Sequence, residues 1–219
     1  MSDESGRPAP RIDIHVHLAG VGTQDSGCWV SPRFRRRYTF IALRILQGIG
    51  PRQMRTSIDQ DWAARISKKV ADSDLDFAAV LGFDGAYDER GLLDLSRSQL
   101  IVPMEWVFEV CRRHDNLLPA PSINPYRRDA LDRLEEAIEG GAVMLKWHPI
   151  VQGFDPASPR VEPFLRRVAE AGIPLLVHAG SGEVTFRTVD PSVGDLDRLI
   201  PALDAGVKVV CAHAAAPIH

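Results

Sequence analysis

Six short apolar runs in this chain each lead to a polar or metal-ligating side chain, and amphipathic stretches separate most of them. The runs are RIDIHVH (Arg11–His17), FAAVLGF before Asp84, LLPAPSIN ending at Asn124, AVMLKWH ending at His148, IPLLVH ending at His178 and VKVVCAH ending at His213. Apolar residues at three- and four-residue spacing predict helices over Pro103–Arg113, Arg128–Glu139, Val161–Ala171 and Asp195–Asp204. Gly140, Gly172 and Gly206 follow three of these helices, where a left-handed cap is expected. Short strands alternating with helices pair in parallel, because a helical crossover returns the chain to the same end of the sheet.

The first run constrains the architecture further. Ile12, Ile14 and Val16 alternate with Asp13, His15 and His17, a period of two that puts one acid and two imidazoles on one face of a strand. Polar groups recurring at the carboxyl ends of successive parallel strands suit an α/β fold of the (β/α)8 TIM-barrel type, whose sites gather at that end. A doubly wound sheet fits less well, since no glycine-rich phosphate loop follows the first strand. About six strand-helix units are legible, and only AAAPIH follows the sixth strand, so the expected barrel is incomplete by about two units. Residues 1–10 read as a flexible tail and residues 11–219 as the partial barrel. Within it, residues 21–74 form a helical insertion after the first strand, with helices expected over Arg33–Gln47 and Gln53–Val70. So long an interval is read as a functional lid.

Composition excludes several roles. The 219 residues are 45% hydrophobic and 25% charged, with a net charge of −3, which fits one soluble domain and gives no footprint for nucleic acid. The basic run Arg33, Arg35, Arg36 and Arg37 is too short to change that; it reads as a solvated helix face or a carboxylate-recognising edge of the lid. The polar, acidic start is unlike a signal peptide, and no apolar run reaches bilayer length, so no membrane role is expected. Cys28, Cys111 and Cys211 are widely spaced without a Cys-x-x-Cys pair, which suits a reducing compartment and a cytoplasmic protein.

His15 and His17, two apart on a strand, form a pincer for a metal; the ordinary alternative is a hydrogen-bonded pair. Lys146 and His148 share strand parity and face the expected barrel mouth, with Pro149 ending the strand. A buried lysine calls for a partner, either Asp13 or a substrate carboxylate. Asp84, Asn124, Arg127 and Glu183 follow strands where substrate-contacting loops arise, and with His148 they are the candidate substrate-binding residues. Tyr126 and Trp147 either wall a pocket or pack in the core.

IDIHVHLAG, SINPYRRDAL, KWHPIVQGFDP, GIPLLVHAGSGE and VVCAHAAA together resemble the amidohydrolase superfamily, in particular its amidohydrolase-related metal-dependent hydrolases. The resemblance implies His15, His17 and His178 as ligands to a divalent metal, usually zinc. It implies His213 as a substrate-contacting or proton-transferring residue, or a ligand to a second metal. It matches Lys146 to a lysine that is carbamylated in two-metal members; one ion is preferred here, two being the alternative. An eighth-strand aspartate, which completes the family site and accepts a proton, has no counterpart in this chain. The implied activity is hydrolysis of an amide, ester or lactone of a small-molecule substrate by metal-bound hydroxide. The alternatives are a non-oxidative decarboxylase or hydratase acting on a carboxylated substrate, and a truncated, non-catalytic chain that survives as a partial barrel, pairs with another polypeptide or is a fragment of a longer gene product; a homo-oligomer is among the expected partners.

Overall fold

The computed structural model describes residues 9–180 and 182–215; the first eight residues of the expected tail and the last four of the chain lie outside the described residues. Six strands form the frame: β1 (Ile12–His17), β2 (Phe77–Leu81), β3 (Leu117–Ala120), β4 (Leu145–Trp147), β5 (Leu175–Val177) and β6 (Val209–Cys211). β1 pairs with β2 and β2 with β3; β4 pairs with β5 and β5 with β6, all in parallel. A parallel bridge from Ser122 to Lys146 and the bond from Lys146 N to Pro121 O (2.9 Å) join the two halves. The result is a TIM-barrel-type sheet in which, among the described residues, β1 and β6 have neighbours on one side only and no closed barrel forms.

The strands read as continuous apolar runs because both faces are covered. One face buries Ala79, Leu81, Ala120, Met144, Leu176 and Ala212 together, several of them small enough for a narrow barrel interior. The other packs Leu145, Trp147, Leu175 and Val177 against the helices, and Trp147 is wholly buried with its indole N–H on Ile123 O (2.8 Å). Trp147 is therefore core, and Tyr126 packs on that same cluster.

The insertion forms four helices rather than two: α1 (Pro32–Arg35), α2 (Tyr38–Leu46), α3 (Gln53–Thr56) and α4 (Ile58–Ala71). The break in the first expected helix falls at Arg37, whose backbone is extended. α2 buries none of its side chains, whereas α4 turns Ile58, Ala63, Ile66 and Val70 inward. Asp59 in the first turn of α4 is fully buried and gathers the loop after β1. Its carboxylate accepts from Val21 N (2.8 Å), Gly22 N (2.9 Å), Thr23 N (3.2 Å) and Ser26 Oγ (2.5 Å). The crossover helices follow as α5 (Met104–Arg113), α6 (Ala130–Glu139), the single turn α7 (Pro149–Gln152), α8 (Glu162–Ala171) and α9 (Ile200–Asp204). Sequence periodicity does not reveal the antiparallel ribbon of Trp29–Val30 with Leu100–Ile101, which is too short to show a period.

Gly172 and Gly206 take positive φ as expected, but Gly140 stays helical and passes the left-handed position to Gly141 (φ +78°). No helix among the described residues is long and apolar enough to cross a membrane.

Candidate metal centre

The polar strand ends meet at the carboxyl end of the sheet. Donor atoms of His148, His178 and Glu183 lie within 4.8 Å of one another, a grouping that could hold a metal ion. The His148 and His178 rings stack with centroids 3.9 Å apart, and His213 stands edge-on to His178 at 4.5 Å. His15 lies 6.0 Å from His213 and 5.0 Å from His17, so imidazoles run around the strand ends from β1 to β6. A bulge between Asp13 and Val16 interrupts the simple alternation of β1.

Lys146 projects from β4 into this group. It is 1% exposed, and its Nζ has no hydrogen-bond partner. The expected pair with Asp13 does not form; Asp13 instead accepts from the His15 amide across the bulge (2.9 Å). His148 Nε2 lies 3.0 Å from Glu183 Oε2, a close contact with a neutral ring, and neither His148 ring nitrogen has a hydrogen-bond partner. Buried nitrogens left unpaired are costly; a cation would relieve a neutral imidazole nitrogen, and an anionic or hydrogen-bond-accepting ligand the Lys146 ammonium.

The electrostatics favour the ligating forms. Desolvation first, then the Lys146 charge, pushes His15 down to about 4 and His17 down to about 3. For His17 this holds although its side chain is exposed at the end of β1. His148 is held down to about 3, chiefly by burial; His178 and His213 are also lowered, with burial the leading cause. All five imidazoles are thus neutral near pH 7, as metal binding requires. Burial works against the Glu183 carboxylate, but the His148 ring on one side and the Phe186 and Thr185 amides on the other hold it down to about 2. A neutral imidazole group with one carboxylate is a donor set suited to a divalent cation.

The other expected site residues form the floor behind this group. Asp84 is buried and accepts from Gly85 N (2.8 Å), Tyr87 Oη (2.8 Å) and Asn124 N (2.8 Å), with the Arg127 guanidinium 3.3 Å away. Asn124 is fully buried and donates to Gly85 O (2.9 Å) and Gln152 O (3.0 Å). Arg127 also grips Asp129 (2.8 Å). Gln152, not singled out in the sequence, links the floor to the histidines: its Oε1 accepts from His148 N (2.7 Å), and its Nε2 donates to Ser122 Oγ (2.9 Å). Its signal was the His-Pro start of α7, which turns the chain back so that Gln152 meets the His148 amide. Asp84, Asn124 and Arg127 are therefore engaged with the protein itself, while His148 and Glu183 stand beside His178.

The family profile described as Amidohydrolase matches residues 12–219. The chain belongs to the Amidohydrolase family. Solved structures agree in fold. A TIM-barrel protein from Bordetella bronchiseptica superposes with a TM-score of 0.61 at 15% identity, covering 95% of this chain and 68% of that one. An amidohydrolase II gives 0.52 at 14% identity, covering 94% and 67%, and the apo form of Metarhizium anisopliae IDCase gives 0.52 at 12%, covering 94% and 65%. This amidohydrolase chain thus spans about two thirds of the length of each. No curated protein matches the sequence.

Proposed function

We propose that this amidohydrolase chain carries the metal centre of a metal-dependent hydrolase acting on an amide, ester or lactone of a small molecule. His15, His17 and His178 bind one divalent cation, zinc by preference, and Glu183 supplies the anionic ligand. The observation that supports the reading is the run of imidazoles around the strand ends, His17 5.0 Å from His15, His15 6.0 Å from His213 and His213 4.5 Å from His178, with a Glu183 carboxylate oxygen within 4.8 Å of a His178 ring nitrogen. When bound there, such a cation acidifies water and polarises a carbonyl group. His148 borders the Glu183 oxygen that faces the cation, His213 borders the substrate side and moves a proton at its ring nitrogen, and Lys146 neutralises substrate charge. Asp84, Asn124 and Arg127 shape the floor on which a substrate rests.

Lys146 also favours a second reading. A buried ammonium with no protein partner suits a carboxylate on the substrate, as a non-oxidative decarboxylase or hydratase would need. A panel of esters and lactones set against carboxylated substrates separates the two; turnover of carboxylated substrates alone, abolished in Lys146→Met, selects the second. The metal reading itself is tested by elemental analysis after zinc loading and dialysis. His178→Ala should retain much less zinc than the parent chain, and undiminished zinc would place the ion elsewhere.

A further inference from the structure

The aim of the Glu183 carboxylate is set from outside its own loop. Oε1 accepts from Thr185 N (2.6 Å) and Phe186 N (2.9 Å), which folds the acid back on a tight turn. Only Oε2 is left toward the histidines, 3.0 Å from His148 Nε2 and 4.0 Å from His178 Nε2. The stretch from Gly182 to Asp190 has no helix or strand of its own. Ordering such backbone costs roughly 1–2 kcal/mol per residue, so something must hold it.

Its ends are tied by Ile150 O, which accepts from Val189 N (2.7 Å) and Asp190 N (3.2 Å), and by Gly182 O, 3.0 Å from His178 Nε2; the part next to Glu183 is held from further away. Gln99, next to the Leu100–Ile101 ribbon strand, pairs with the Arg187 backbone in both directions: its Nε2 donates to Arg187 O (2.6 Å) and its Oε1 accepts from Arg187 N (2.7 Å). Thr39 on α2 donates its hydroxyl to Thr185 O (3.2 Å). Phe34 on α1 sets its ring 4.9 Å from Phe186, which lies 5.1 Å from Phe83 and 6.0 Å from His148. Only a carboxamide both donates and accepts as a neighbouring strand would.

We infer that Gln99 and Thr39 are positioning residues for the candidate metal centre, the insertion and the ribbon acting as a strap that aims Glu183 Oε2 at the histidines. The inference rests on reading Glu183 as a metal ligand. It gives the insertion after β1 a task that its exposed α2 face does not reveal.

The test is a cobalt(II) titration of the chain, followed by the visible absorption of the bound ion, with unfolding curves recorded in parallel. Gln99 and Thr39 are only partly buried, so Gln99→Leu and Thr39→Val should unfold as the parent does. Both should bind cobalt about 10- to 100-fold more weakly, with a shifted absorption band, as loss of a supporting contact around a metal ligand typically does. Thr39→Ser, which keeps the hydroxyl, should retain the parent affinity and spectrum. If Glu183→Gln loses cobalt while Gln99→Leu and Thr39→Val bind as the parent does, the strap is overturned and the metal reading stands. If Glu183→Gln binds as tightly as the parent, Glu183 is not a ligand, and the strap falls with it.

Discussion

At the scale of single residues, Lys146 and Asp84 are opposite cases of a buried charge. Lys146 has no partner, and desolvation pushes its ammonium down to about 7 from 10.5, against the pull of Glu183. Between those values the unfolded chain holds a proton that the folded chain releases, so stability rises with pH; at and below about 7 the penalty is complete. In the metal-free chain, Lys146→Met should therefore raise the urea midpoint at about pH 7, with the gain shrinking toward about pH 10. Equal midpoints for parent and variant at both values would mean that the amine is paired in solution. Asp84, in contrast, is surrounded by donors and by Arg127. Removing it in Asp84→Ala leaves Arg127 on Asp129 but takes the acceptor from the Tyr87 hydroxyl and the buried Gly85 and Asn124 amides, and should cost roughly 3 kcal/mol or more in chemical unfolding. A loss within half a kcal/mol of zero, on the order of a surface substitution, would show that the network carries no stability.

Among the elements, the loop after β1 depends most on one side chain. Asp59 serves three successive amides and a hydroxyl, and Thr23 Oγ1 accepts in return from the Asp59 amide (3.2 Å). A carboxylate bonded in this way gains about 1.5–3 kcal/mol per charged hydrogen bond, without simple additivity. Asp59→Ala should cost about 3 kcal/mol or more and expose the Val21, Gly22 and Thr23 amides to fast hydrogen exchange. Protection of those amides in the variant would mean that the loop is held by its other contacts. α2 behaves differently. It leaves Tyr38, Ile45 and Leu46 76%, 63% and 80% exposed, and among the described residues its strongest ties are at its start, through Thr39 and the ring of Phe40 against Phe34.

Over the whole molecule, β1 and β6 each have a strand neighbour on one side only among the described residues, which leaves two parallel edges. On β1, Ile12 and Ile14 are each 40% exposed, and β6 is only partly covered. Unpaired edges with apolar side chains template association with another chain. Sedimentation of the 219-residue chain should show association that grows with concentration, and Ile14→Lys, which places a charge on the edge, should weaken it. A monodisperse monomer at every concentration would remove edge pairing as a property of this chain.

What the sequence determined by itself was local. Strand and helix alternation follows from periods of two and three to four, and the histidines could be placed at strand ends because each lies beside its own apolar run. The strand stop before Pro149 was legible for the same reason, whereas Trp147 stood open between pocket wall and core until the helices packed on it. Tertiary structure decided the rest. The bulge in β1 and the absence of a partner for Lys146 depend on strands that meet only in the sheet. Glu183 reached the histidines on an irregular loop held by Thr39 and Gln99, residues 146 and 88 positions from the backbone groups they bind. No periodicity encodes contacts at such separations; they exist only once the crossovers have brought the strand ends together.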